Sequence, residues 1–305
     1  VEGSAPQGCG HRLGRSLAED EPDGGWAAPT EVAVVPFEDG ELAGDADIEF
    51  SRHFVLASRP VVLHGWGRDW PAAGAWSTRH LFLSALGDVH VPIDVSDSGN
   101  FAVARDGEDG ARQEVMLVSD FLDRLERGEA VYLTSYSVAQ GSDLADAVAL
   151  LVERDTRPIP VVRLPRAPGK AANLWLGGRT TTPWHSDMYH NLLCVVAGVK
   201  VVELVAPSWL RQLNPVVNRP ERSWMLNDAP AGEFILSATL HAGDCLFLPA
   251  HWYHQIHSHP GEDPWAAAVN WWYEADLLLG HFWNTYWNRV ASAGSIVCDA
   301  RIPLG

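Results

Sequence analysis

Two polar side chains in one apolar stretch have the types and spacing of a metal site. His185 and Asp187 are separated by one residue within the segment TTTPWHSDMYHNLLCVVAGVKVVELV, residues 180–205. On an extended strand, residues two apart project from the same face, so the imidazole and the carboxylate lie side by side. Together they supply two ligands of a facial site built from two histidines and one carboxylate, which is typical of non-haem Fe(II).

A lysine in the same stretch is the next residue whose chemistry could serve a function. Lys200 interrupts a run of valines, and only Lys170 and Lys200 are lysines among the 22 basic residues of the chain. An ammonium group buried among apolar side chains is destabilising unless it is paired. Glu203 lies three residues further on and projects from the opposite face of the strand, so we expect a carboxylate ligand to supply the missing charge.

A facial site needs a third ligand, and the pattern alone leaves five downstream histidines open. The candidates are His241, His251, His254, His257 and His259. His254 is favoured because the segment LPAHWYHQI follows a Gly-Asp turn and continues along a predicted strand. His251 lies beside a bend marked by a proline, and the last two candidates approach a loop.

The elements around these residues predict a mainly β protein. From residue 173 onward the chain alternates short strands with turns, including a hairpin turn at Ala197-Gly198 and a turn over residues 241–244. This pattern indicates an antiparallel barrel or sandwich. Helical patterns precede it, at residues 50–57, 78–86, 120–128 and 144–154, and a further helical pattern follows it at residues 277–293.

These patterns divide the chain into three predicted regions. Residues 1–25 are rich in Gly, Pro and acidic residues and form a disordered or loosely ordered tail. Residues 26–274 form the catalytic domain, and residues 275–305 form a C-terminal helical extension. The extension has a broad aromatic face, so we expect it to cap the barrel or to form a homodimer with a second copy.

Composition restricts the class of protein. The net charge of −17 argues against a nucleic-acid partner, because phosphates need clustered Lys and Arg, and it fits a cationic or peptide substrate. No apolar run approaches the ~20 residues that span a membrane, and no signal-sequence pattern begins the chain. The four cysteines lack CxxC spacing, and two of them, Cys194 and Cys245, lie in apolar runs. We therefore predict reduced thiols in a cytoplasmic protein.

Six segments occur in the order found in one enzyme family. They are PVVLHGW…WP, YLTSY, NLWLGG…TPWHSD, GVKVVELVAP, GDCLFLPAHWYHQI and AVNWWYE. Over roughly residues 30–290 the chain resembles the JmjC-type, cupin-like 2-oxoglutarate oxygenases, and in particular the hydroxylases similar to factor inhibiting HIF. The resemblance implies a double-stranded β-helix core of the jelly-roll or cupin type, with flanking N-terminal helices and a C-terminal helical tail.

The resemblance also implies a ligand set for the metal. Fe(II) would be held by His185, Asp187 and His254, because the histidine directly after the aromatic pair Trp252-Tyr253 matches the distal ligand of the family. One position departs from the family pattern: His251 stands where a small residue is more usual. The departure concerns the entrance of the site and leaves the ligand set intact.

A second group of residues matches the co-substrate pocket of the family. Lys200 matches the lysine that binds the distal carboxylate of 2-oxoglutarate. Thr182 and Tyr132 match the hydroxyl groups that assist this lysine, and Asn191 and Asn270 match positions that line the pocket. From the residues alone, each asparagine could equally satisfy backbone groups.

The implied activity is that of an Fe(II)- and 2-oxoglutarate-dependent dioxygenase. With O2 it would hydroxylate an unactivated C–H bond of a peptide or protein side chain or of a small metabolite, giving succinate and CO2 as co-products. Hydroxylation is favoured over demethylation because the chain lacks a reader domain and a basic surface suited to chromatin. Two other classes stay open: a cupin-like binding module without catalysis, and a zinc-dependent hydrolase that uses the same ligands.

Overall fold

The computed structural model describes most of the region that carries these motifs. The described residues are 32–36, 46–101, 111–134, 143–157, 159, 162, 164–165, 172–209, 215–217, 224–226, 230 and 235–275. The predicted N-terminal tail and residues 276–305 of the predicted dimerising extension lie outside them.

Strands make up most of the described elements. In chain order they are β1 (Ala33–Pro36), β2 (Val61–His64), β3 (His90–Val95), β4 (Arg112–Leu117), β5 (Val131–Thr134), β6 (Asn173–Gly177), β7 (Thr180–Ser186), β8 (His190–Ala197), β9 (Val199–Val205), β10 (Pro215–Val217), β11 (Trp224–Leu226), β12 (Leu236–His241), β13 (Cys245–Leu248), β14 (Tyr253–His259) and β15 (Ala266–Tyr273).

The strands form two sheets that share one barrel-like centre. The larger sheet has nine strands in the order β1-β2-β13-β8-β15-β6-β5-β3-β4, and the smaller has six in the order β10-β11-β7-β14-β9-β12. Four adjacent strands of each sheet form the barrel, β13-β8-β15-β6 and β7-β14-β9-β12, and all of these neighbours pair antiparallel. The chain passes repeatedly from one to the other, which is the arrangement of a double-stranded β-helix. The predicted fold class is confirmed.

Helices cover the outer face of the larger sheet. They are α1 (Ala46–Phe50), which continues as a π-helical turn (Ser51–Val55), α2 (Ala72–Ala75), α3 (Arg79–Leu86), α4 (Val118–Glu126) and α5 (Asp143–Asp155), with a 3-10 turn at Pro207–Trp209. Phe82, Phe121 and Leu151 pack there with Val269 and Trp271 of β15. No helix in the described part of the chain is long and apolar enough to cross a membrane.

A separate core fills part of the space between the two sheets. Alternate residues of β15 divide between the two cores: Val269 belongs to the outer core, whereas Ala268 belongs to the inner one. In β9 the inner core takes Val202 and Leu204, which share a face with Lys200. The interior of the barrel therefore has an apolar part next to the polar side chains that the sequence singles out.

Gly198 is a corner between the sheets, and the predicted hairpin is wrong. The turn lies where it was expected, but β8 ends at Ala197 in the larger sheet and β9 begins at Val199 in the smaller one. Gly198 has φ +71°, and a Cβ atom there would lie 2.6 Å from the carbonyl oxygen of His259. Glycine is needed because the chain turns sharply and passes close to another backbone.

The prediction of reduced thiols is wrong for two of the four cysteines. Cys194 in β8 and Cys245 in β13 are direct cross-strand partners, and a disulfide joins them. They lie 51 positions apart in the sequence, so they become neighbours only when the two strands pair. Cys9 and Cys298 lie outside the described residues.

The corner at Gly198 gives a stability prediction. Gly198→Ala should lower the free energy of unfolding by about 2 kcal/mol or more. An L-residue in the left-handed backbone conformation costs about 1–2 kcal/mol, and the new Cβ atom also meets the His259 carbonyl. Gly128→Ala is the matched control, since Gly128 has φ +76° and a Cβ atom there would meet nothing within 4 Å. Urea unfolding of both variants measures the difference. Equal losses would contradict the steric part of this explanation.

Candidate active site

The structure brings the three predicted metal ligands together. His185 and His254 are direct cross-strand partners in β7 and β14, so their side chains project from the same face. Nε2 of His254 lies 3.8 Å from Oδ2 of Asp187, which directly follows the end of β7. One ligand atom from each residue lies within 4.8 Å of the other two. This donor set and spacing suit a facial site for a divalent transition metal.

Backbone carbonyl groups orient both imidazoles. Nδ1 of His185 lies 2.8 Å from the carbonyl oxygen of Pro183, and Nδ1 of His254 lies 3.0 Å from that of Trp252. Because a carbonyl oxygen only accepts, each Nδ1 carries the proton and each Nε2 keeps its lone pair for a metal. Burial and the neighbouring His185 lower the pKa of His254 to about 4, so this ring is neutral at neutral pH.

His251 supports the loop that carries Asp187. Its backbone N–H donates to the carbonyl oxygen of Asp187 at 2.8 Å. His251 has φ +67°, in the left-handed region that L-residues with a side chain rarely adopt. Glycine, which has no Cβ atom, would adopt this backbone conformation without strain. Burial lowers the pKa of the His251 imidazole, whereas the nearby Asp187 raises it.

Lys200 points into the barrel and has no carboxylate partner among the described residues. Its side chain is 2% exposed, and Nζ donates to Oγ of Ser258 at 2.6 Å. Nζ also lies 5.9 Å from the ring centroid of Tyr132. Burial lowers the pKa of Lys200 to about 7. Glu203 faces away as expected, accepting a hydrogen bond from Gln255 on the outer face of the sheet.

An irregularity in β7 places Thr182 on the same face as the first metal ligand. Thr182 precedes His185 by three residues, which in a regular strand would put it on the opposite face. The pairing with β14 shifts between His254 and Ile256, so three steps along β7 match two along β14. This β-bulge returns Thr182 to the interior, opposite Ile256.

Tyr132 reaches the same place from the larger sheet. Its hydroxyl group is hydrogen-bonded to that of Thr182, and burial raises the pKa of Tyr132, which therefore stays protonated. Gly177 of β6 is its cross-strand partner, and a Cβ atom there would lie 2.5 Å from Cδ2 of the tyrosine ring. Glycine at this position leaves space for the ring beside Lys200.

The two predicted asparagines form one buried network. Nδ2 of Asn270 donates to Oδ1 of Asn191 at 2.8 Å, and Nε1 of Trp175 donates to Oδ1 of Asn270 at 2.8 Å. The Trp175 ring lies 5.9 Å from the Tyr132 ring, centroid to centroid. The asparagines therefore satisfy each other's side chains and connect to the residues around Lys200 through an indole ring.

Sequence reasoning missed two hydroxyl groups on the inner face: Ser258, which contacts the lysine, and Thr180, which pairs with Ser258 from the other side. Ser258 is four residues after His254, and Thr180 is two before Thr182, so strand alternation could have placed both on the inner face. Oγ1 of Thr180 is buried and has no hydrogen-bond partner within the described part of the chain. A buried ammonium and an unsatisfied hydroxyl group, on the strands either side of Ser258, fit a carboxylate ligand, as the histidines and Asp187 fit Fe(II).

Comparison with known proteins identifies the family. A family model described as a cupin-like domain matches residues 47–277. The chain belongs to this cupin-like family. It is 28% identical over 239 residues to Jumonji C domain-containing protein 5 of Drosophila melanogaster, covering 73% of this chain and 57% of the fly protein.

Two further relatives are covered over most of their length. The human bifunctional peptidase and (3S)-lysyl hydroxylase JMJD7 is 27% identical over 277 residues, covering 77% of this chain and 84% of that protein. The Arabidopsis thaliana lysine-specific demethylase JMJ32 is 25% identical over 286 residues, covering 77% and 81%. The predicted membership of the JmjC-type, cupin-like 2-oxoglutarate-dependent oxygenases is confirmed. The prediction of a hydroxylase-type enzyme is confirmed with it.

The cluster of His185, Asp187 and His254 leads to a binding prediction. His254→Ala should weaken Mn(II) binding by about tenfold or more, because it removes one of three ligands that lie within reach of one ion. His257→Ala is the matched control: His257 lies on the same strand, but its ring contacts Thr181 and Gln255 on the outer face. Calorimetric titration with Mn(II) compares the two. If both variants bound Mn(II) equally weakly, the cluster would not be the binding site.

Proposed function

We propose that this cupin-like protein is an Fe(II)- and 2-oxoglutarate-dependent dioxygenase that hydroxylates an unactivated C–H bond in a peptide or protein side chain. O2 is the second co-substrate, and succinate and CO2 are the co-products. His185, Asp187 and His254 hold the metal, and Lys200 binds the distal carboxylate of 2-oxoglutarate. Thr182 and Tyr132 assist the lysine, and Asn191 and Asn270 line the pocket.

The buried lysine is the observation that carries this proposal. Lys200 lies on β9, next to β14 in the smaller sheet, and β14 also carries His254. Both side chains belong to the inner face, so a ligand between the sheets can reach both. A hydrolytic zinc site or a simple binding module has no need for a buried cation at this position. A diacid that ligates the metal at one end and meets the lysine at the other needs both groups.

The protein's own residues contribute orientation, charge and exclusion of water. Bound Fe(II), with 2-oxoglutarate and O2, supplies the oxidising power that converts the C–H bond to an alcohol. Carbonyl groups of Pro183 and Trp252 keep each histidine Nε2 directed at the ion. The Lys200 ammonium offsets the charge of the distal carboxylate in an interior where Val202 and Leu204 exclude water.

The substrate class rests on the relatives and on net charge. The name of the human relative includes a lysyl hydroxylase, and that of the Arabidopsis relative a lysine-specific demethylase. The net charge of −17 would attract a cationic segment. We therefore infer a peptide or protein substrate with a basic side chain near the hydroxylated carbon. Hydroxylation is proposed over demethylation, and a small metabolite is the alternative that substrate screening would reveal.

One hydrolytic alternative has a specific reason to be tested. The name of the human relative also includes a peptidase activity, and two histidines with one carboxylate can bind zinc. The two reactions differ in their requirements, because only the oxygenase needs Fe(II), O2 and a 2-oxo acid together. Zn(II) alone would support peptide hydrolysis.

Turnover should follow the oxygenase requirements. Purified protein with Fe(II), ascorbate, O2 and a library of basic peptides should convert 2-oxoglutarate to succinate, with a peptide gaining 16 Da as expected for one inserted oxygen. Asp187→Ala should remove both signals, because the carboxylate of the ligand cluster is lost. NMR of succinate and mass spectrometry of the peptides measure them. Peptide cleavage with Zn(II), and no succinate with Fe(II), would overturn the proposal in favour of the hydrolase.

The pKa of Lys200 predicts the pH dependence of co-substrate binding. Binding requires the ammonium form, and in the free protein the pKa of Lys200 is about 7. The dissociation constant of 2-oxoglutarate should therefore be flat below pH 7 and rise by about tenfold per pH unit above it, as protonation of one group demands. Titration of the Mn(II)-loaded protein between pH 6 and 9 measures this profile.

Lys200→Met is the control for that profile. It should bind 2-oxoglutarate at least tenfold more weakly, since a hydrogen bond to a charged group is worth about 1.5–3 kcal/mol, and its residual affinity should lack the pH dependence. The free variant should also be more stable at neutral pH. Because the pKa of Lys200 is lowered in the folded protein, the lysine destabilises the fold at pH 7. This destabilisation decreases as the pH rises toward the pKa that the lysine has in the unfolded chain. An unchanged affinity would place the lysine outside the pocket.

A further inference from the structure

Three polar side chains form a row at the end of the barrel interior away from the histidines. Ser258 of β14 pairs with Lys200 of β9 on one side and with Thr180 of β7 on the other. The Ser258 hydroxyl reaches Nζ of Lys200, so both side chains project from the same face. Direct cross-strand partners share a face, and Thr180 therefore belongs to the row as well. We call these three residues the end row.

Thr180 has an unsatisfied hydroxyl group within this row. The residue is 2% exposed, and its Oγ1 has no hydrogen-bond partner among the residues that the structure describes. Buried hydroxyl groups in folded proteins are almost always hydrogen-bonded, because an unmade bond leaves the group desolvated without compensation. The neighbouring Thr182 differs, since its hydroxyl is already bonded to Tyr132. An unused donor on the same inner face as a buried ammonium, one strand beyond Ser258, points to a ligand that carries negative charge.

Ser258 restrains the ammonium group itself. Nζ of Lys200 donates one hydrogen bond to Oγ of Ser258 at 2.6 Å. An ammonium group has three donors, so among the described residues this contact leaves two for a ligand and fixes their direction. The serine hydroxyl also keeps its own hydrogen, which is free to reach an acceptor bound next to the lysine.

We propose that Thr180 and Ser258 determine co-substrate specificity, with Thr180 donating a hydrogen bond to the distal carboxylate of 2-oxoglutarate and Ser258 positioning the Lys200 ammonium against it. This inference rests on the proposed function, because it concerns the same pocket. Two hydroxyl groups and one ammonium satisfy a carboxylate. They give nothing to a 2-oxo acid that ends in a methyl group. The end row therefore selects 2-oxo acids by the group at their far end.

The test compares two 2-oxo acids on Mn(II)-loaded protein without O2. Thr180→Val keeps the shape of the side chain and removes only the hydroxyl group. It should weaken 2-oxoglutarate binding by about tenfold or more, as expected for a hydrogen bond to a charged group, and leave binding of 2-oxopentanoate unchanged. The unfolding midpoint of the free variant should not fall, because the removed hydroxyl makes no hydrogen bond in the described structure. Calorimetry and thermal unfolding give both readouts.

Thr181→Val is the matched control at the adjacent position. The Thr181 hydroxyl lies 3.1 Å from Nδ1 of His257 on the outer face of the sheet. Its removal should leave the affinity for both 2-oxo acids unchanged. Ser258→Ala gives a second measurement: 2-oxoglutarate binding should weaken, and Ser258→Thr, which keeps a hydroxyl group, should restore most of it.

The outcomes separate this inference from the proposed function. If the unmodified protein does not bind 2-oxoglutarate, the proposed function fails and the inference fails with it. If the unmodified protein binds it and Thr180→Val binds it equally well, only the inference is overturned. Equal weakening for both 2-oxo acids would also overturn it, because the threonine would then support the fold of the pocket and not the recognition of a carboxylate.

Discussion

A lysine buried in the barrel without a carboxylate partner is the constraint on which the site depends. Lys200 shares its strand face with Val202 and Leu204, and its Nζ contacts only a neutral hydroxyl group and an aromatic ring in the described structure. The effect of such burial appears directly in the lowered pKa. A fold selected for stability alone would place an apolar residue here. Under the proposed function, the need to bind a diacid ligand is the reason that this destabilising cation is retained.

Strand β14 aligns the two ends of the pocket. It lies between β7 and β9, so each inward residue has one partner on either side. His254 lies between His185 and Leu204, whereas Ser258 lies between Thr180 and Lys200. The proposed metal end and the proposed carboxylate end therefore share one rigid ladder of hydrogen bonds. Their separation is set by four residues of strand and not by loops, which gives the precision that catalytic sites require.

Local periodicity predicted the parts of the site that depend on neighbouring residues. The alternation of a strand is enough to bring His185 and Asp187 together, and it correctly turned Glu203 away from Lys200. It could not choose among five histidines, because that choice depends on which strand lies beside β7. The family resemblance selected His254, and the structure shows that this residue pairs directly with His185.

Predictions that depended on long-range pairing failed for the same reason. The turn at Gly198 was found, but whether its two strands pair or separate is decided by β14 and β15, which begin only at Tyr253 and Ala266. The partnership of Cys194 and Cys245 likewise exists only through the register of β8 and β13. Thr182 was placed by resemblance alone, since a bulge contradicts simple alternation. Sequence patterns specify strands and faces, whereas register must be read from the assembled sheets.

The residues assigned to the metal and the end row lie on or directly beside barrel strands, whereas a neighbouring strand comes from an insertion between barrel strands. All residues assigned to the metal lie on or directly beside β7 and β14, and the end row lies on β7, β14 and β9. By contrast, β11 pairs with β7 opposite His185 and Ser186 and comes from a segment between barrel strands β9 and β12. The backbone beside the first metal ligand is thus supplied from outside the eight central strands. Because loops and insertions tolerate change better than paired barrel strands, the segment that carries β11 can vary more readily than β7, β9 and β14. Under the proposed function, substrate choice could change there while the co-substrate residues stay fixed.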